Sequence, residues 1–215
     1  MPIWNAFWQA LQATFGTRLE QALYVLPAVI IGFTLHEYAH AWMAVRLGDP
    51  TPRWEGRLTL NPLKHLDPLG TLLVFIAFVG WAKPVRWNPR NLRVPIRWGV
   101  LLVAAAGPVM NLLLAIAGAL LLRGVMGGVH SPVLHRVLYV FVSFNVLLFV
   151  FNLIPLPPLD GFAVLSSLAP PSWHELIGLL QRYGTLVLLL LLFLPGSFLG
   201  PLLHAIMGGI LRVLL

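Results

Sequence analysis

An apolar run over residues 19–46 is long enough to cross a bilayer, yet it carries His36, Glu37 and His40 in H-E-x-x-H spacing. A spanning helix needs about 20 such residues, and ionisable groups inside it are costly enough to mark a functional site by default. On a helix, positions i and i+4 share one face, so both imidazoles can reach a single ion. Glu37 sits beside the first of them, where it can act as general base toward a water at that ion. A lone histidine in an apolar helix is more often a packed core residue. With seven histidines and four glutamates, however, shuffling would give this motif on the order of 0.004 times per chain. Chance is a poor explanation, though the motif alone names no reaction.

Composition sets the frame for that run. Of 215 residues, 59% are hydrophobic and 10% charged, with mean hydropathy +0.85; a soluble domain carries about a quarter charged residues. The chain therefore reads as an all-α integral membrane protein, a polytopic bundle with about four to six spans plus a short strand-like or re-entrant element. No polar stretch is long enough for a separate soluble domain, so residues 1–215 form one transmembrane unit. The chain has no cysteine, which excludes disulfides and thiolate metal ligands. A net charge of +7 would suit nucleic acid, but the basic residues fall in loops between apolar runs, where they set topology. The lipid bilayer is the expected partner, and nucleic acid is not. The N-terminus lacks a basic start and an A-x-A-like site, so no removable signal peptide is expected.

Taken in order, residues 1–18 place Trp4, Phe7, Trp8, Leu11 and Phe15 at helical spacing, as in an interfacial helix, with a loosely ordered tail as an equal alternative. Arg46, Arg53, Arg57 and Lys64 follow the first span and put its motif-bearing end on the cytoplasmic side of the cell membrane. Prolines and glycines exclude a long helix over 47–67, while Arg57-Leu58-Thr59-Leu60 alternates like a short strand. Its edge could pair with an unwound peptide; an ordinary loop is an equal alternative. Residues 68–81 are apolar but short, and the loop that follows, 80–93, is basic again, so 68–81 should be re-entrant or a short helix packed on the bundle. Further spans are expected at 97–122, 132–153 and 175–194, with 198–215 a marginal fifth or a surface helix. Pro108 should bend or open the second of these. His204 reads as structural.

Three prolines within residues 155–158 end the third long span, and Asp160 follows in apolar surroundings. Topology returns Asp160 to the same side and depth as His36 and His40. It could instead cap a helix over 162–169, but a carboxylate at that depth is costly without a partner.

These residues, taken together, resemble the site-2 protease family of intramembrane zinc metalloproteases. The resemblance rests on H-E-Y-A-H at 36–40, N-P-L-x-H-x-D-P-L-G-T at 61–71, G-W-A-K-P-V at 80–85, A-G-P-V-M-N at 106–111 and N-L-I-P-L-P-P-L-D-G at 152–161. It covers about residues 25–168 and is that of a compact member, without a PDZ or regulatory domain. It implies a catalytic core over 19–168 followed by C-terminal helices over 172–215. It further implies one zinc ion held by His36, His40 and Asp160, with Glu37 as catalytic base. Asn152 would stabilise the reacting carbonyl or orient the substrate. The substrates would be transmembrane proteins, chiefly single-span ones, cut in regulated intramembrane proteolysis.

Two other classes fit part of the pattern. A transporter or channel with a metal site would explain the spans and the buried histidines and aspartate, but has no need of Glu37. A proteolytically silent relative would keep the ligands and bind membrane helices without cutting them.

Overall fold

The computed structural model describes residues 18–77, 80–126, 131–194 and 198–215. Within them the chain is helical: α1 (Arg18–Arg46), the short α2 (Thr51–Trp54), α3 (Pro68–Ala77), α4 (Ile96–Met126), α5 (Pro132–Asn152), α6 (Asp160–Leu168), α7 (His174–Phe193) and α8 (Leu199–Leu214). Four stretches, 21–46, 96–124, 132–152 and 171–193, are long and apolar enough to cross a membrane, and α8 is a shorter apolar helix. This is a multi-pass helical membrane protein. The stretch 1–18, read as an interfacial helix or a loose tail, lies but for Arg18 outside the described residues, as do residues 78–79, 127–130 and 195–197.

α5 is the central element. On one side Val142, Val146 and Val150 pack with Ala115 and Ala119 of α4, Leu188 and Leu192 of α7, and Leu203 and Met207 of α8. On the other, Val140, Phe144 and Leu148 pack with Val25, Val29 and Phe33 of α1 and Val74 of α3. Phe33 and Phe144 meet edge to face, with ring centres 5.8 Å apart, a favoured aromatic geometry. Small residues set the helix spacing: a Cβ added to Gly118 would lie 2.9 Å from the Phe141 ring, so α4 and α5 approach closely because that side chain is missing.

In two places where the sequence left two alternatives open, the structure takes one. The strand over 57–60 does not form; among the described residues there is one isolated antiparallel bridge, Leu66 to Ala82. Side chains, not a ladder, tie the loop down. His65 bonds the carbonyl of Thr59 at 2.7 Å, and Arg57 donates to the carbonyls of Lys64 and Lys83. Residues 68–77 form helix α3, opened by Asp67, which accepts from Gly70 N at 2.8 Å. Helix α4 continues through Pro108; the proline offers no N–H to the carbonyl one turn back, that of Ala104, which lines the cavity described next.

Candidate metal centre

The buried face of α1 begins as Val25, Ala28, Val29 and Phe33 and continues, at the same helical spacing, as His36 and His40. The face that packs the helix thus also drives both imidazoles into the bundle. The break after α5 turns the chain back so that α6 starts at Asp160. The N-cap of α6 is Leu159, with no side-chain cap. Asp160 caps nothing; its carboxylate points to the histidines, within the first turn, where unpaired N–H groups and the helix dipole favour negative charge.

The three side chains converge. His36 Nε2 and His40 Nε2 lie 3.1 Å apart, and Asp160 Oδ2 lies 3.2 Å from the first and 3.3 Å from the second. Tetrahedral zinc with bonds of about 2.0–2.1 Å spaces its ligand atoms about 3.3 Å apart. A near-equilateral triangle of this size matches one face of such a site, and two imidazole nitrogens with one carboxylate oxygen are a donor set that zinc takes.

Hydrogen bonds at the far ring atoms fix what the triangle presents. His36 Nδ1 donates to Asn111 Oδ1 at 2.6 Å, and His40 Nδ1 donates to the Val103 carbonyl at 2.7 Å. Both acceptors are carbonyl oxygens, so the proton of each neutral ring sits on Nδ1 and each Nε2 presents a lone pair. Asn111 is oriented in turn: its Nδ2 donates to Asn145 Oδ1 at 3.0 Å and to the Gly32 carbonyl at 3.3 Å, and Asn145 Nδ2 donates to the Phe141 carbonyl at 2.9 Å. Lone pairs from two rings and a carboxylate therefore meet at one point, and the buried Asp160 Oδ2 has no hydrogen-bond donor. Such a donor set could hold a cation. Gly107 makes room for it, since a Cβ there would lie 2.7 Å from His36 Nε2 and still closer to His40 Nε2.

Glu37 faces the loops. Its Oε2 accepts from Val85 N at 2.9 Å and lies 3.9 Å from Arg57 Nη2. Arg57 is 4% exposed. Burial lowers its pKa, opposed by the carboxylates of Glu37 and Glu55, and an arginine so placed stays charged. Burial, aided by the charge of Arg57 and opposed by the bond to Thr59, holds the His65 imidazole below its ordinary value. A neighbouring hub is Asp49, fully buried, which accepts from Thr51 N, Thr51 Oγ1, Asn88 N and Asn91 Nδ2 at 2.6–3.1 Å. Burial opposes its ionisation, but these four donors prevail and hold its carboxyl below the ordinary range.

A cavity of about 640 Å³ joins these groups, lined by His36, Glu37, His40 and Asp160, by the 80–87 loop, and by Thr185 and Leu188 of α7. Asn152 lines it too; its Nδ2 donates to the Leu148 carbonyl at 3.0 Å, which uses one of two amide protons. From sequence alone Asn111, Asn145 and Val103 have no assigned site role, and Arg57 reads as a topology charge at the start of the alternating stretch 57–60. The two asparagines were signalled by their polarity inside apolar spans. Arg57 carried no signal that set it apart from other loop cations.

A multi-pass helical bundle with a buried His–His–Asp cluster and a neighbouring glutamate is a membrane protein with a candidate metal centre. Comparison with known proteins narrows the class. The chain is 43% identical over 198 residues, 88% of its length, to a Bacillus subtilis protein provisionally named zinc metalloprotease YwhC, of which it covers 90%. It is 31% and 33% identical to proteins provisionally named zinc metalloprotease Rip2 from Mycolicibacterium smegmatis and Mycobacterium tuberculosis, over 80% and 82% of this chain and 67% and 68% of theirs. No family model and no solved structure matches the chain. The chain belongs to the site-2 protease family of zinc metalloproteases.

Proposed function

We propose that the protein is an intramembrane zinc endopeptidase of the cell membrane, hydrolysing peptide bonds within or near transmembrane segments of single-span substrates in regulated intramembrane proteolysis. One zinc per chain would be held by His36, His40 and Asp160, in a single catalytic unit. The observation that carries this reading is the triangle of lone pairs with Glu37 in the same cavity. A transported or structural metal would not need that carboxylate.

Bound zinc would supply Lewis acidity, polarising the scissile carbonyl and easing ionisation of a water. The remaining work falls to the chain. Glu37 takes the proton of the attacking water and passes it to the leaving amine. Both of its contacts fall on Oε2, which leaves Oε1 as the oxygen available for that transfer. The free amide proton of Asn152 serves the substrate carbonyl as a hydrogen-bond donor. Asn111 and the Val103 carbonyl keep both imidazoles in one tautomer throughout.

A substrate helix hides its carbonyls in its own hydrogen bonds and must unwind before attack, which favours Gly, Pro, Asn or Ser near the cut. The non-helical backbone along the cavity is supplied by residues 80–87 and 157–159, not by residues 57–60. Lys83, Arg86, Arg90 and Arg93 in and beside it support an active site toward the cytoplasmic side.

The test compares parent and Glu37→Gln protein in liposomes, with a panel of single-span substrates and zinc assayed in both. About one zinc in each with cleavage by the parent alone is the expected result. Equal cleavage by the variant would remove Glu37 as the base, and zinc without cleavage in either would favour a silent relative.

A further inference from the structure

Arg57 has a place that its loop position does not explain. It lies within a turn-rich connection, yet its guanidinium is buried and reaches two separate stretches of backbone, the carbonyls of Lys64 and Lys83. Lys83 is held from both ends, because its N–H donates to the His65 carbonyl at 2.7 Å. Two residues on, Val85 N–H meets Glu37 Oε2 at 2.9 Å. The same Arg57 Nη2 that binds the Lys83 carbonyl lies 3.9 Å from that oxygen. Guanidinium, Lys83 carbonyl, Val85 amide and Glu37 carboxylate thus form a closed ring of contacts across three chain segments. A planar fork with five donors can hold two carbonyls and face a carboxylate at once. A lysine ammonium, a point charge on a flexible stem, cannot reproduce that geometry.

We propose that Arg57 is a positioning residue: it locks the 82–85 segment onto the 57–66 loop and, through the Val85 amide, holds Glu37 by Oε2 so that Oε1 is presented to the reaction. This rests on the reading of Glu37 as the base. Arg57 touches neither the metal ligands nor the substrate path directly, and a residue that acts only through the orientation of the base should alter turnover more than zinc or substrate binding.

Two measurements test it. In the first, parent, Arg57→Ala and Arg57→Lys proteins are compared for bound zinc, KM and kcat on one single-span substrate in liposomes, with Glu37→Gln alongside. Expected are equal zinc, KM within about twofold, and kcat lowered about 10–100-fold in Arg57→Ala with partial recovery in Arg57→Lys. Unchanged kcat, or zinc loss that accounts for the whole defect, overturns the proposal. In the second, Val85→Cys is introduced into this cysteine-free chain, and its maleimide labelling rate is measured with and without Arg57→Ala. About tenfold faster labelling without Arg57 is expected if the guanidinium holds the segment; an equal rate overturns it. The labelling needs no proteolysis, so it stands even if the parent cuts nothing and the base assignment falls.

Discussion

Asn111 of α4 holds the Nδ1 of His36 at 2.6 Å, and so fixes which nitrogen of that ring faces Asp160. The asparagine is fully buried and has donors and acceptors spoken for on both sides, by His36, Gly32 and Asn145. Partners of this kind set both the direction and the basicity of a metal-binding imidazole.

Replacing Asn111 with leucine keeps its bulk and removes that partner. Zinc affinity should fall about 10–100-fold in chelator competition. An unchanged affinity would mean that the ring is oriented by packing alone.

Asp160→Asn preserves shape but removes the anionic donor of the triangle. Zinc retained after dialysis against a chelator should fall to about a tenth of the parent's or less, while helix content stays the same. Full zinc retention would place the third ligand elsewhere.

Gly107→Ala probes the space beneath the histidines. The new methyl would sit 2.7 Å from His36 Nε2, nearer than nonbonded atoms tolerate. We expect loss of bound zinc and of cleavage together, and an alanine protein with normal zinc content would show that α4 can draw back without disturbing the site.

Arg97 ties the far end of the Asp160 helix to α4, donating from Nε to the Ser167 carbonyl at 2.6 Å and from Nη2 to the Leu168 carbonyl at 3.1 Å. The second contact is exposed, so Arg97→Met should cost about 1 kcal/mol, below the range for buried charged hydrogen bonds. Denaturant titration in detergent would measure it.

Asp49 gives a pH dependence. Its folded carboxyl titrates below the ordinary range, so its stabilising effect is complete above the unfolded-state pKa of about 4 and disappears as pH falls through the lower folded value. Thermal unfolding should therefore separate parent from Asp49→Asn at pH 7, and the gap should narrow as the pH drops below about 4. A gap independent of pH would assign the effect to hydrogen-bond geometry and not to charge.

The long helices were legible because a bilayer admits few solutions. Apolar runs of spanning length must be helical, and basic clusters mark their ends, so 19–46, 97–122, 132–153 and 175–194 anticipated α1, α4, α5 and α7 within a residue or a turn. His36, Glu37 and His40 were equally legible, since one helix with a fixed period relates them. Asp160 was placed near them only by counting crossings; the 3.2–3.3 Å contacts with both rings come from the packing of α6. Of the two alternatives at 57–60, strand or ordinary loop, the loop forms, because alternation reports which faces could be buried while pairing needs a partner edge, and here Arg57 and His65 satisfy the loop's carbonyls instead. The helical period and the lipid thus determined the spans and the first two of the three convergent groups. Tertiary packing alone decided the third, the asparagines that orient the rings, and the link from Arg57 through Val85 to Glu37, because contacts between segments 26 to 79 residues apart leave no periodic trace in a sequence.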